Sequence, residues 1–226
     1  MVNEGDFVLL DYSGRTKEGK VFDTTSSEEA KKNGVFNEKA KYGPVLVVAG
    51  KKQVLPGLDD ALLTAVPATE KTVEVPAEKA FGPRNADLVK LVPIARFKEQ
   101  NITPLPGMVL DFDGTMGRIS SVEGGRVSVD FNHPLAGQVV VYAFKIIKAF
   151  FTPAEKVQAI ASDSFATGVT SQFAGDTATF SANAAANKGA DFIVAKMRCI
   201  QTLLQFVPEV KKVVFNEEYV KPENLA

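Results

Sequence analysis

Alternating apolar and polar positions in the first part of the chain predict short β-strands joined by turns. The apolar run at residues 44–50 predicts a buried strand, and the run at residues 139–147 is the most strand-like of the chain. Further predicted elements are strands at residues 7–12 (followed by a turn at Ser13-Gly14), 21–23 and 72–75, and a capped helix at 26–32. Apolar side chains at helical spacing follow Pro56-Gly57 (Leu58, Ala61, Leu62 and Ala65). The pattern predicts an antiparallel sheet with one short amphipathic helix packed on it.

The pattern of apolar and turn-forming residues changes after Phe81-Gly82, and the changed region ends at Asn132-His133. Short segments there are separated by Pro- and Gly-containing turns (residues 91–97, 109–112, 118–122 and 126–131). Structureless loops of such a length are uncommon in compact domains. The sequence therefore predicts a small inserted β-rich domain at residues 84–131.

A third region begins at Thr152-Pro153-Ala154-Glu155, which combines an N-cap threonine, a first-turn proline and a glutamate three residues after the cap. This signature predicts a helix to about residue 165, followed by a strand at 177–182, a helix at 191–206 and a strand at 212–219. The second helix carries one apolar face (Ile193, Met197, Ile200, Leu203 and Leu204). We expect a C-terminal α+β domain at residues 152–226, whose apolar helix face is either internal core or a dimer surface.

Composition removes several functional classes. The chain has 226 residues with 26 Lys+Arg against 27 Asp+Glu, so charge gives no reason to expect a nucleic acid or an anionic membrane as partner. One histidine and one cysteine argue against a Cys/His metal site, and one cysteine excludes an intrachain disulfide. No apolar stretch reaches the length of a membrane span, and the first residues do not resemble a signal peptide. The expectation is a soluble cytoplasmic protein.

Motifs for covalent, metal or phosphate chemistry are missing from the sequence. His133 precedes Pro134 and is interpreted as a turn residue rather than a general base. Cys199 lies in a helical stretch and is interpreted as a small buried hydrophobic residue. An enzyme with this sequence would therefore use none of these three kinds of chemistry.

Five short segments in a fixed order carry a family resemblance: Asp11-Tyr12-Ser13-Gly14, Val21-Phe22-Asp23-Thr24, Val54-Leu55-Pro56-Gly57-Leu58, Ala80-Phe81-Gly82 and Val139-Val140-Val141-Tyr142. Together they resemble FKBP-type peptidyl-prolyl cis-trans isomerases. The insertion after Phe81-Gly82 is similar to that of the SlyD subclass, and the C-terminal domain is similar to that of long archaeal members. The resemblance implies an FKBP-like isomerase domain at residues 1–83 and 132–151, an insert-in-flap chaperone domain at 84–131, and no cofactor or metal.

The resemblance also implies a proline pocket. Its implied catalytic residues are Tyr12, Phe22, Asp23, Leu55, Phe81 and Tyr142, and its implied substrate-binding residues are Val47, Val54, Leu58 and Leu135. In the family pattern the N–H of Leu55 orients the substrate, Asp23 accepts a hydrogen bond from Tyr12, Leu58 forms the floor and Phe81 closes the far wall. The residues alone allow a plainer interpretation, in which Tyr12 and Phe22 are core residues and Asp23 opens a turn.

Three positions depart from the common family pattern: Leu58 stands where many members have Trp, Phe81 where Tyr is common, and Val47 where Phe is frequent. These departures bear on the isomerase rate and on the binding of macrolide inhibitors.

Three hypotheses on the function follow. The first is an isomerase that is also a chaperone for unfolded or partly folded, proline-containing chains, and the second is a holdase without turnover. The third is a dimeric adaptor assembled through residues 152–226.

The insert carries many apolar residues for its size: Leu88, Leu91, Val92, Ile94, Phe97, Ile102, Leu105, Met108 and Met116. A domain this small cannot bury all of them. Some form its core, and we expect the rest to form an exposed surface that captures unfolded chains, for which methionine is well suited because it repacks easily.

Overall fold

The structure, a computed structural model, describes residues 1–165, 167–183 and 189–220 of the chain. Two compact units are present, one comprising Met1–Glu74 with Val141–Ala226 and the other Val75–Val140. In chain order the elements are β1 (Phe7–Thr16), β2 (Val21–Thr24), α1 (Ser27–Lys32), β3 (Val45–Val48), α2 (Pro56–Leu63), β4 (Glu70–Val75), β5 (Val89–Pro93), α3 (Ile94–Glu99), β6 (Val109–Phe112), β7 (Thr115–Glu123), β8 (Arg126–Asp130), β9 (Val140–Phe150), α4 (Pro153–Ser164), β10 (Val169–Ala174), β11 (Thr177–Ala182), α5 (Gly189–Phe206) and β12 (Lys212–Glu217). The α+β fold class predicted from the sequence is confirmed.

The sheet of the first unit has the order β2-β1-β9-β4, with β3 paired to the first half of β1. β2 and β3 both run antiparallel to β1. Helix α2 begins at Pro56, whose missing N–H costs nothing at a first helical position. Its Leu58, Ala61 and Leu62 are buried, as the helical spacing predicts. The amphipathic helix predicted after Pro56-Gly57 is therefore confirmed.

The second unit contains a sheet of order β5-β8-β7-β6 with α3 after its first strand. Its small core consists of Phe97, Ile119, Val127 and Val129, with partly buried apolar side chains around them. Phe112 contacts both Phe97 and Phe131 edge-on, with ring centroids 6.0 Å and 5.3 Å apart. Edge-to-face contacts of this kind are favoured by the charge distribution of aromatic rings.

The C-terminal segment packs on the first sheet through a shared hydrophobic core. Phe7 and Val48 belong to the same buried cluster as Ile160 of α4 and Leu203 of α5. A buried charge adds to this contact, because Lys156 Nζ lies 2.9 Å from the Gly5 carbonyl oxygen and 3.5 Å from Asp6 Oδ1. The strands of this segment have the order β10-β11-β12, with β11 and β12 parallel. The domain boundaries derived from the sequence stay predictions.

Three local predictions differ from the structure. β1 continues through Ser13-Gly14, where a turn was expected, because these residues pair with Thr24 and Asp23 of β2. The segment 91–97 was expected to be extended, but α3 begins at Ile94. The helix is favoured because it brings both Ile94 and Phe97, one helical turn apart, into contact with the insert core. Strand β10, which was not predicted, forms a hairpin with β11 across Gly175-Asp176.

Candidate proline site

The aromatic residues of the first unit converge because three neighbouring strands carry them. Tyr12 lies on β1, Phe22 on β2 and Tyr142 on β9. The Tyr142 ring centroid lies 5.7 Å from that of Tyr12 and 5.8 Å from that of Phe22, the latter pair nearly perpendicular at 82°. The arrangement is a set of aromatic walls held in preferred edge-on and tilted contacts.

Asp23 provides the polar edge of this group. The Tyr12 hydroxyl donates to Asp23 Oδ2 at 3.0 Å, which is the hydrogen bond expected from the sequence. Asp23 is exposed, Tyr12 is half-buried and Tyr142 is 3% exposed. The hydrogen bond fixes the Tyr12 ring, so that its face has one orientation.

Burial is the main cause of raised pKa values at both tyrosines. The pKa of Tyr12 lies well above the ordinary value because of burial, then because of the charge of Asp23 and the hydrogen bond to it. The pKa of Tyr142 is raised by burial first and then by the charge of Asp23 and by Tyr12. Both side chains are therefore neutral hydroxyls at physiological pH.

Gly14 is required for the rings to approach one another, a role that the sequence did not indicate. A Cβ atom at this position would lie 2.9 Å from Phe22 Cζ and 2.9 Å from Tyr142 Cζ. Real Cβ atoms do not come so close to an aromatic carbon, so any other residue displaces one of the rings. The sequence was interpreted as a turn at Ser13-Gly14, so Gly14 did not carry the signal of a glycine inside a strand, which often marks a close approach.

A cavity of about 250 Å³ lies against Tyr12, Phe22 and Asp23. Its other walls come from the end of β2 and the residue after it, α1, the loop after α1, and β3 (Thr24, Thr25, Ala30, Val35, Asn37, Ala40, Lys41, Tyr42 and Val45). Val45 lies two residues before Val47 and therefore on the same face of β3. Val47 itself is 4% exposed and belongs to the core. Sequence reasoning named Val47 and missed Val45, although period-two alternation links the two.

The segment before α2 carries Val54 and Leu55, which are both half-buried. Leu55 is the N-cap of α2, and its carbonyl accepts the N–H groups of Leu58 and Asp59, both at 2.9 Å. Among residues 1–165, 167–183 and 189–220, none accepts the N–H of Leu55 in a hydrogen bond. Leu58 is 1% exposed and lies in the core.

Asp59 organises the loop that leads to Val54 and Leu55, and sequence reasoning did not identify it. Its side chain is 3% exposed, yet Oδ1 accepts from the Gly50 N–H at 2.8 Å and Oδ2 from the Lys52 N–H at 2.6 Å. Hydrogen bonds to a carboxylate are stronger than neutral ones. The loop conformation before Leu55 therefore depends on a buried carboxylate one residue after Leu58.

Phe81 and Leu135 lie in the second unit, which forms its own body. Phe81 stacks on His133, with ring centroids 4.4 Å apart and planes 6° apart. Leu135 is half-buried. Their roles as far wall and substrate contact stay predictions.

The apolar residues of the insert divide into core and surface. Val92, Ile94, Ile102 and Met108 pack against the small core around Phe97. The remaining large apolar side chains are 41–63% exposed and are called here the insert surface: Leu88, Leu91, Leu105, Val109 and Met116. The sequence could not distinguish these two groups.

Metal and membrane chemistry find no support among the residues that the structure describes. No group of three or more His, Cys, Asp or Glu side chains in that part of the chain is arranged to hold a metal ion. No helix within the described ranges is long and apolar enough to span a membrane. Cys199 is buried, and burial raises the pKa of its thiol to about 12 despite a hydrogen bond with Ser164.

Comparison with known proteins identifies the class. The family model for FKBP-type peptidyl-prolyl cis-trans isomerases matches residues 1–96, and the model described as FKBP26, IF domain, matches residues 90–135. A short-type peptidyl-prolyl cis-trans isomerase of Methanocaldococcus jannaschii is 32% identical over 146 residues, which are 65% of this chain and 92% of the relative. The chain therefore belongs to the FKBP-type peptidyl-prolyl cis-trans isomerases, and the enzyme class expected from the sequence is confirmed.

Two bacterial relatives refine the class. The FKBP-type 16 kDa peptidyl-prolyl cis-trans isomerase of Escherichia coli is 29% identical over 57% of this chain and 84% of its own length. The FKBP-type isomerase SlyD of Vibrio cholerae is 31% identical over 50% of this chain and 58% of its own length. The archaeal and SlyD relatives agree with the subtype that the sequence motifs indicated. Neither family model extends past residue 135.

Proposed function

We propose that this chain accelerates X–Pro isomerisation in unfolded or partly folded proteins and also holds such chains as a chaperone. The observation that carries the catalytic part is the group of three rings, Tyr12, Phe22 and Tyr142, with Tyr12 fixed by Asp23. The exposed apolar side chains of the insert surface support the chaperone part.

The reaction requires no proton transfer and no nucleophile. Its barrier of about 18–20 kcal/mol comes from the loss of partial double-bond character when the amide twists. A site accelerates it by binding the twisted form more tightly than either planar form. The twisted amide is less dipolar, so walls made of aromatic rings favour it over the planar amide. Tyrosines that stay neutral, as their raised pKa values require, add no charge to such a site.

Leu55 supplies the directional contact in this proposal. Its N–H lies at the start of α2, and no described residue accepts it. In this proposal a substrate carbonyl accepts the Leu55 N–H while the proline ring of the substrate contacts the aromatic walls. Val54 and Leu58 border the same segment, so the donor and the apolar contacts have fixed positions relative to each other.

A holdase without turnover is the second candidate function. It is favoured by Phe81, which has no hydroxyl to donate to a substrate carbonyl, and by Val45 of β3, which lines the cavity where a larger aromatic side chain is absent. Such a protein binds proline-containing chains in the same place but leaves their isomerisation rate unchanged.

Self-association is proposed through the C-terminal segment, residues 152–226. On α5, Ile193, Val194, Met197 and Leu204 are 50–66% exposed. Helix faces of this kind are commonly covered by a partner. A monomer in light scattering at micromolar concentration would contradict the proposal.

We propose a cytoplasmic site of action with no nucleic acid or membrane partner, in keeping with a single buried cysteine and balanced charge.

The test is the exchange rate of an Ala-Pro peptide, measured by NMR without a coupling protease. Wild type is compared with Phe22→Ala, which removes one wall, and with Tyr12→Phe, which removes only the hydroxyl that Asp23 accepts. We expect Phe22→Ala to lower kcat/KM more than tenfold and Tyr12→Phe to lower it about two- to tenfold, the effect of one hydrogen bond.

Phe151→Ala is the matched control, because Phe151 is 48% exposed and lies outside the proposed site. It should leave kcat/KM unchanged. If wild type binds the peptide but does not accelerate exchange, the holdase is the correct function. If wild type accelerates exchange and Phe22→Ala does so equally well, the catalytic assignment is wrong.

A further inference from the structure

Lys156 is a buried lysine that the proposed function does not use. It lies one turn into α4, after the N-cap residue Thr152, and it is 8% exposed. Neither family model includes it, because the two models match residues 1–96 and 90–135. Lysine is among the residues least often buried, and its charge requires partners where water is excluded. The partners of Lys156 therefore indicate its role.

Both partners of Lys156 lie in the segment before β1. Its Nζ donates to the Gly5 carbonyl at 2.9 Å and lies 3.5 Å from Asp6 Oδ1. The other carboxylate oxygen of Asp6 accepts the Asn3 N–H at 2.9 Å. A buried ion pair is weak evidence of added stability, since apolar residues in its place are often equally stable. Unlike an apolar residue, however, a lysine at this position holds one particular carbonyl and one particular carboxylate.

The segment held by Lys156 pairs in turn with the start of the loop before α2. The Gly5 N–H donates to the Ala49 carbonyl, and the Ala49 N–H donates to the Asp6 carbonyl, both at 2.9 Å. Ala49 follows the last residue of β3 and is fully buried. The backbone of Ala49 is thereby fixed by the same two residues that Lys156 contacts.

Gly50, the next residue, connects this pairing to Asp59. It has a φ of +76°, and its N–H donates to Asp59 Oδ1 at 2.8 Å. A Cβ atom at Gly50 would lie 2.6 Å from Glu4 Cγ, so the segment before β1 also packs closely on this residue. The loop is therefore held by two buried groups: Asp59 directly, and Lys156 through the segment before β1.

We propose that Lys156 is a positioning residue, which holds the loop at residues 49–55 through Gly5 and Asp6 and so makes the proline site depend on the C-terminal segment. This proposal rests on the proposed function, in which the same loop ends at Leu55. All residues of the connection belong to the first unit. Loss of the ammonium group frees the Gly5 carbonyl, loosens the pairing with Ala49 and lets the loop change its conformation.

Two variants test the connection in full-length protein. Lys156→Met keeps an unbranched side chain without the charge, but it leaves the Asp6 carboxylate buried without its ion-pair partner, which is destabilising. Lys156→Met combined with Asp6→Asn removes both charges, which relieves that destabilisation without restoring the bond to Gly5. The control is Arg198→Met, which removes an exposed charge that pairs with Asp163 at 3.0 Å inside the C-terminal segment.

Amide hydrogen exchange by NMR is the first readout, with the amides of β9 as internal reference. In both Lys156 variants, the Ala49 and Gly50 amides should exchange more than tenfold faster relative to β9 than in wild type, because local opening leaves β9 protected. The Leu55 amide shift should change as well. The kcat/KM for an Ala-Pro peptide should fall about two- to tenfold, the effect of one hydrogen bond. Arg198→Met should match wild type in all three measurements.

Three results would overturn the proposal. One is unchanged exchange of Ala49 and Gly50, relative to β9, in the variant without both charges. Another is an equal change in Arg198→Met. The third is an unchanged kcat/KM in a variant whose loop exchanges faster. Hydrogen exchange does not depend on catalysis, so a wild type without isomerase activity would contradict the proposed function while the loop amides still decide whether Lys156 holds the loop.

Discussion

The proline site of the first unit and the insert surface of the second are both apolar, but they are built in opposite ways. In the proline site, Tyr142 is 3% exposed and its ring contacts those of Tyr12 and Phe22. The Tyr12 hydroxyl is hydrogen-bonded to the carboxylate of Asp23. On the insert surface, Leu91 and Met116 are 63% and 60% exposed above a small core. A fixed aromatic site suits one repeated geometry, the twisted prolyl amide. Exposed, adaptable side chains suit many different unfolded chains.

The largest effect is expected where the aromatic site tolerates no added atom. Gly14→Ala introduces a Cβ 2.9 Å from Phe22 and from Tyr142. Overpacking of this kind costs about 1–3 kcal/mol of stability, and it displaces a ring of the proposed site. We expect kcat/KM for an Ala-Pro peptide to fall more than tenfold, while capture of an unfolded client is retained. Unchanged peptide turnover in a folded Gly14→Ala protein would show that the ring contacts are not needed.

The next effect concerns the loop that leads to Leu55. Asp59→Asn keeps the shape of the side chain but replaces one carboxylate oxygen by a donor, which faces the N–H of Gly50 or Lys52. An unsatisfied buried donor costs about 1–3 kcal/mol in the free energy of unfolding. Urea unfolding measures this loss, and Glu99→Gln, at an exposed position, should show none. Equal stability of the two variants would rule out the positioning role of Asp59.

A smaller and complementary effect is expected on the insert surface. Leu91→Ser combined with Met116→Ser removes two exposed apolar side chains without touching the core around Phe97. Because each buries apolar area only when a client binds, capture of an unfolded protein should weaken about three- to tenfold. Peptide turnover should not change. The control, Lys90→Ser, alters an exposed charged neighbour, and equal loss of capture in that control would contradict a specific role for the apolar residues.

The smallest effect is spectroscopic and concerns alkaline pH. The pKa values of Tyr12 and Tyr142 lie above the ordinary tyrosine value of about 10. Their contribution to stability is therefore complete below pH about 10 and is lost as the pH rises toward the folded-state pKa. Tyrosinate absorbance should show both groups ionising late, and Tyr12→Phe should remove one of them. Ionisation of all tyrosines near pH about 10 in folded protein would contradict the buried site.

Local signals were sufficient for much of the fold. The Thr152 and Glu155 capping box predicts α4, and it is present. Strand β11 spans Thr177–Ala182 as predicted, because its alternating buried side chains follow a period of two. In contrast, Ile94 and Phe97 have the spacing of either a strand or a helical turn, and only packing on the insert core selects the helix.

The site was predictable only as far as its residues are marked by motifs. The Tyr12–Asp23 hydrogen bond followed from the family pattern. The roles of Val45, Gly14 and Asp59 did not, although Gly14 stands in a motif, because these roles come from cross-strand distances and from contacts with loop amides. The sequence could not predict which apolar side chains of the insert are exposed either. Leu91 and Val92 are both aliphatic, but they lie on opposite sides of β5.

One measurement tests the division of labour most directly: catalysed refolding of a protein limited by prolyl isomerisation, set beside exchange of an Ala-Pro peptide, in full-length protein. Phe22→Ala should lose both activities. Leu91→Ser with Met116→Ser should keep peptide exchange and lose about three- to tenfold on the protein client. If the insert variant lost both activities equally, or if wild type only slowed refolding in proportion to its concentration, catalysis by the aromatic site and capture by the insert would not be separate functions of this chain.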